Sequence, residues 1–78
     1  MMDHIDMRRM AEIAEAHDVR VVLTTRGFRI MATGPRHQVE HVLSYDVLWQ
    51  ARDPVGIFEQ TVRRARRHLE DVGVTEGR

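Results

Sequence analysis

A chain of 78 residues has room for one domain with a thin hydrophobic core. It contains no cysteine, so disulfides and thiolate zinc sites are excluded, and packing, oligomerisation or a bound partner must supply the stability that small chains lack. Formal net charge is zero, with 12 basic and 12 acidic residues, which argues against recognition of a polyanion by bulk charge.

The charge is unevenly spread. Residues 1–18 are acidic on balance, and residues 19–36 carry Arg20, Arg26, Arg29 and Arg36 with no acid. Residues 37–60 are acidic again, and the tail is basic through Arg63, Arg64, Arg66 and Arg67. Such blocks predict faces of opposite sign. All 12 basic residues are arginine. A GC-rich genome explains that usage, and selection for forked guanidinium contacts is the functional alternative. The opening MMDHIDMRRMAE is acidic without an apolar run, unlike a signal peptide or anchor. The longest apolar stretches, such as Val21-Val22-Leu23, fall far short of the roughly 20 residues a spanning helix needs. A soluble, cytoplasmic domain over residues 1–78 is expected, frayed at 75–78.

Asp3 reads as an N-cap, with Asp6 three residues on. Ile5, Met7, Met10, Ala11, Ile13, Ala14 and His17 recur at helical spacing, predicting a helix over about 4–17. Its early acids and late histidine suit the helix dipole. The stretch VRVVLTTRGFRIMAT then predicts a hairpin with a two-residue loop at Arg26-Gly27, where glycine would take a positive φ. That register pairs Thr25 with Phe28, Leu23 with Ile30 and Val21 with Ala32. It gathers these six and Val19 on one face, with Arg20, Val22, Thr24, Arg29, Met31 and Thr33 on the other. On this reading, Gly27→Val is the hairpin's most damaging change.

Gly34-Pro35 reads as a turn. HQVEHVLSYDVLWQA fits both strand and helix spacing, and a third strand over about 37–43, followed by a short helical turn from Ser44 through Arg52, is the preferred reading. Asp53 as N-cap and Pro54 at the first helical position open the last helix. Its stripe is Val55, Phe58, Val62, Ala65, Leu69 and Val72, and Gly73 is expected to end it with Val74 touching Leu69. The fold class is therefore α+β: a helix, a three-stranded antiparallel sheet and a helix, both helices on one face. Its predicted core is Ile5, Met10, Ile13, Val21, Leu23, Phe28, Ile30, Leu43, Phe58, Val62, Ala65 and Leu69.

Among motifs, His37-Gln38-Val39-Glu40-His41 matches the H-x-x-E-H pattern of inverzincin proteases, whose chemistry needs a helix to bring both histidines to one metal. On a strand the two lie about 13 Å apart, so no metal is expected there. Lysine, cysteine and asparagine are missing and Ser44 is the one serine, which removes the usual nucleophilic schemes. The glycines are isolated and form no phosphate loop. The expectation is a chain that is not an enzyme and carries no cofactor.

The run Arg63-Arg64-Ala65-Arg66-Arg67-His68 is the strongest nucleic-acid signal. Glu59 precedes Arg63 by four residues, and Glu70 and Asp71 follow Arg66 and Arg67 by four, the spacing of ion pairs on a solvated helix. With Gly34-Pro35-Arg36-His37, the element order resembles double-stranded-RNA-binding domains and their GPxH loop. That family's loop follows its first strand and its last helix opens with a lysine-rich motif. Here the loop follows the second strand and the helix opens Asp53-Pro54-Val55-Gly56, so the function is not carried over.

The stretch HQVEHVLSYDVLWQARDPVGIFEQTVRRARRHLE resembles small proteins from phages of GC-rich bacteria. That resemblance implies a stand-alone binder of the kind that includes anti-CRISPR inhibitors of host defence, acting in the host cytoplasm, and it transfers no site residues. The leading expectation is a non-enzymatic protein-binding module. Its contact residues would be Arg20, Val22, Thr24, Arg29 and Met31, on the sheet face that two helices leave uncovered. Nucleic-acid binding through Arg63, Arg64 and Arg67, or through the arginines of residues 20–36, is the alternative. A homodimer or assembly role through the sheet face or an edge strand is the third. No membrane partner is expected.

Overall fold

The computed structural model describes residues 6–76, with side chains through residue 73. The chain runs α1 (Met7–Ala16), β1 (Arg20–Leu23), β2 (Gly27–Thr33), β3 (Gln38–Ser44), α2 (Tyr45–Gln50) and α3 (Pro54–Glu76). The strands form an antiparallel sheet in the order β1-β2-β3, with α1 and α3 packed on one face. This is the α+β architecture expected from the sequence.

Asp6 caps α1 by accepting the Arg9 amide at 3.0 Å. The helix therefore opens later than predicted, and the expected cap Asp3 and core residue Ile5 lie outside the described residues. At its other end the Val19 amide donates to the Ala14 carbonyl (3.0 Å) and the Asp18 amide to that of Glu15 (3.2 Å). This is a Schellman stop, and Asp18 provides its left-handed residue at φ 55°. Val19 then packs against the core as the chain turns into β1.

The first hairpin departs from its predicted register. Leu23 pairs with Phe28 and Val21 with Ile30, two residues from the expected partners, and the tight turn is Thr24–Gly27 with Thr25 and Arg26 at its tip. A shift of two leaves the strand side chains on their predicted faces, while Thr24 and Thr25 pass into the turn. No described glycine has a positive φ, so the left-handed glycine expected at this turn is absent. The Thr24 side chain closes the turn instead. Its hydroxyl donates to the Gly27 carbonyl at 2.8 Å and accepts the Arg26 and Gly27 amides, both at 3.2 Å. The Tyr45 hydroxyl donates to the Thr24 carbonyl at 2.6 Å, and the Tyr45 amide donates to Arg26 at 3.1 Å.

Gly27 is required for a different reason. It sits opposite Ser44, and a Cβ there would lie 2.8 Å from both the Leu43 carbonyl carbon and the Ser44 Cα, with the Leu43 oxygen closer still. These are backbone atoms at the β3–α2 junction and cannot swing aside. Ser44 accepts the Asp46 and Val47 amides and caps α2 as expected.

β2 and β3 join through Gly34–His37, where the Gly34 amide donates to the His37 carbonyl at 2.7 Å. Asp53 caps α3, accepting the Gly56 amide at 3.0 Å. The stripe of Phe58, Val62, Ala65 and Leu69 is buried against Phe28, Ile30, Ala32, Val39 and Leu43 of the sheet. Phe28 meets Tyr45 and Phe58 edge-on, at centroid distances of 5.4 and 6.0 Å.

Leu23 was expected in the core but is 61% exposed: it is the last residue of the edge strand β1, beside a turn that falls one residue earlier than predicted. Ala14, Ala32, Val39 and Leu48 join the core instead. Gly73 does not end α3. Helix continues through it to Glu76, since the expected stop needed a left-handed glycine and Gly73 does not adopt that conformation. The side chain of Val74 and residues 77–78 lie outside the described residues. No helix among the described residues is long and apolar enough to cross a membrane.

Gly27→Ala should destabilise the fold by about 2 kcal/mol through backbone collision, lowering the melting temperature by roughly 10 °C. Gly27→Asn should be at least as damaging. Near-native melting for the asparagine variant, a residue tolerant of positive φ, would restore the left-handed turn. Conversely, Asp18→Gly removes side-chain strain at a left-handed position and should stabilise by about 0.5 kcal/mol, visible as a melting point a few degrees higher.

Candidate functional site

The sheet face turned away from the helices carries a short grid of side chains. Backbone pairing puts Arg20 opposite Met31 and Met31 opposite Glu40 in one row. The next row holds Val22, Arg29 and Val42, and Thr33 opposite Gln38 continues the face. Val42 is 60% exposed, Val22 and Met31 are half-buried, and Arg20, Arg29 and Glu40 are exposed. Each apolar side chain thus has a charged neighbour along its strand or across the ladder. The Gln38 amide nitrogen lies 3.7 Å from the Met31 sulfur. At one corner Asp18, Val19, Arg20, Met31 and Thr33 line a concavity of about 300 Å³.

Arg29 reaches diagonally to β3. Its Nε donates to Glu40 Oε2 at 2.8 Å, and its Nη2 donates to the same oxygen. The hydrogen bonds and the charge of Glu40 hold the guanidinium pKa above its usual value. Sequence separation had suggested hairpin arginines without acidic neighbours. The β2–β3 register places Glu40 beside Arg29 and corrects that reading, leaving Arg20 as the less constrained cation of the grid.

Four of the five predicted contact residues share this face. The exception is Thr24, whose hydroxyl is committed to the turn, because the loop falls one residue earlier than predicted and the ladder ends at Leu23. Glu40 and Val42 also stand on this face, beyond the predicted contact residues. Their signal was the alternation of β3, in which Gln38, Glu40 and Val42 oppose the Val39, His41 and Leu43 set.

The second candidate surface lies on the other side of the molecule, since α3 covers the opposite sheet face. Arg63, Arg64 and Arg67 are exposed on its outer side. Arg63 Nη2 donates to Glu59 at 3.2 Å, one of the helical pairs expected from the spacing.

The H-x-x-E-H motif is broken up by the strand. His37 precedes β3, Glu40 faces Arg29, and His41 lies on the helix-covered side opposite Ile30. There His41 Nε2 sits 3.3 Å from Nδ1 of His68 on α3, with ring centroids 5.4 Å apart. Among the described residues, no group of three or more His, Asp or Glu side chains is placed to hold a metal. A separate apolar concavity of about 170 Å³ lies between α1 and β1, with Met7 and Leu23 at its rim and Phe28 and Phe58 among its lining.

Against known protein families, curated proteins and solved structures, the chain matches none.

If Arg29 and Glu40 act as a unit on this face, Arg29→Gln and Glu40→Gln should each lower the melting temperature only slightly. The double variant should be no less stable than either single one, because exposed pairs contribute little and their loss is shared. Additive losses in thermal melts would show that each side chain has separate partners.

Proposed function

We propose that this chain is a non-enzymatic protein-binding module whose contact surface is the open face of the sheet. The observation that carries the reading is the grid itself: Val22, Met31 and Val42 interleaved with Arg20 and an ion-paired Arg29 on a rigid ladder. Apolar contact with arginine anchors is the composition that protein interfaces favour. Strand backbone and the Glu40 tether limit the freedom that Arg29 would lose on binding, which lowers the entropic cost of association. Taken with the resemblance of residues 37–70 to small phage proteins, the reading extends to a phage-encoded inhibitor of a host defence complex, acting in the host cytoplasm.

Exposed Arg63, Arg64 and Arg67 favour nucleic-acid binding as the second reading. A second copy docking on the same sheet face is the third, and sedimentation would report it directly.

Arg20→Glu combined with Val42→Asp should leave the melting temperature nearly unchanged, since exposed substitutions usually cost under about 0.5 kcal/mol. The pair should abolish capture of the protein partner from host lysate. Replacing Arg63, Arg64 and Arg67 with Gln should weaken capture little. The opposite ranking, together with affinity for duplex DNA or RNA that falls steeply with salt, would transfer the function to α3.

A further inference from the structure

We infer that His41 and His68 form a two-histidine chelating site for a divalent zinc ion, held between β3 and α3. No metal is expected at His37 and His41, which a strand keeps apart. The fold instead brings together two imidazoles separated by 26 intervening residues.

Their nitrogens, His41 Nε2 and His68 Nδ1, are 3.3 Å apart. Two imidazole nitrogens at a zinc–nitrogen distance of about 2.0–2.1 Å in a tetrahedron are separated by roughly 3.3–3.4 Å, so the spacing already fits one edge of the polyhedron. A square-planar ion would draw the nitrogens closer, to roughly 2.9 Å, which favours zinc over copper(II) on geometry. The site is also held in place by its surroundings. His41 lies between Val39 and Leu43 on its strand, both buried, and His68 adjoins buried Leu69 with Ala65 one turn before it. The two elements that position the rings are therefore fixed by the core. His68 is exposed and His41 half-buried, so an ion reaches the pair from solvent without opening the fold.

The binding step needs no co-reactant. In the apo protein the two nitrogens share one hydrogen bond, so one carries a proton and the other accepts it. Zinc requires a lone pair from each, with the remaining proton of each neutral ring on its outer nitrogen, His41 Nδ1 and His68 Nε2. This is a tautomer shift in one ring, with no net proton released from neutral imidazoles. Water fills the other coordination positions.

Zinc titration of tag-free, chelator-treated protein, followed by calorimetry, tests the site. One ion should bind per chain, and zinc should raise the melting temperature of the native protein. His68→Gln, at an exposed position, should keep the fold and weaken zinc binding at least tenfold. His41→Gln should do the same, with circular dichroism verifying its fold, while His37→Gln and His17→Gln should bind zinc as the native chain does. The inference is overturned by the absence of saturable binding or by affinity unchanged in His68→Gln. It is equally overturned by one ion per two chains with a dimeric mass, which would place zinc between molecules.

Discussion

Gly27 lies so close to the backbone of Leu43 and Ser44 that no side chain fits between them, and much of the molecule is arranged around that approach. It lets β2 begin directly opposite the end of β3, at the point where Ser44 turns the chain into α2. Tyr45 follows at once, and its ring packs edge-on against Phe28 while its hydroxyl and amide hold the Thr24–Gly27 turn. One junction therefore ties the first hairpin, the third strand and the short helix together. Phe28 carries the same constraint inward to Phe58 on α3.

The pairing of β2 with β3 has consequences on both sheet faces. On the open face it sets Glu40 diagonal to Arg29, turning a cation into half of an ion pair and mixing charge with Val42 and Val22. On the covered face it points His41 toward α3, where His68 arrives one position before the buried Leu69. A slip of one residue would exchange the faces, burying Glu40 and exposing Val39 and Leu43, so burial of the apolar set enforces the register. The proposed contact face and the proposed zinc site are thus two readouts of the same strand alignment, on opposite sides of the sheet.

Charge separation follows the same logic. The arginines of α3 lie beyond the helix that shields the sheet, while Arg20 and Arg29 lie on its far side. A chain with zero formal net charge can therefore present two cationic regions without a continuous basic surface. Polyanion binding favours one extended positive track, whereas local protein contact does not require it.

Helix and strand identities were legible in the sequence because they rest on local period and caps. The apolar spacing of α3, its Asp53-Pro54 start, the alternation of β2 and the Ser44 cap each involve neighbours within a few residues. The sorting of the two sheet faces was legible too, since alternation survives a register error of two residues. Pairwise partners across the sheet were not. Arg26-Gly27 looked like a left-handed turn because local chemistry allows it, yet Gly27 is demanded by β3, sixteen positions along the chain. Gly73 looked like a helix stop for the same local reason, and the helix runs through it. The Arg29–Glu40 pair and the His41–His68 contact join residues 11 and 27 positions apart, distances at which spacing carries no information. Periodicity reports which side of an element is apolar; only packing one element on another decides which polar groups meet.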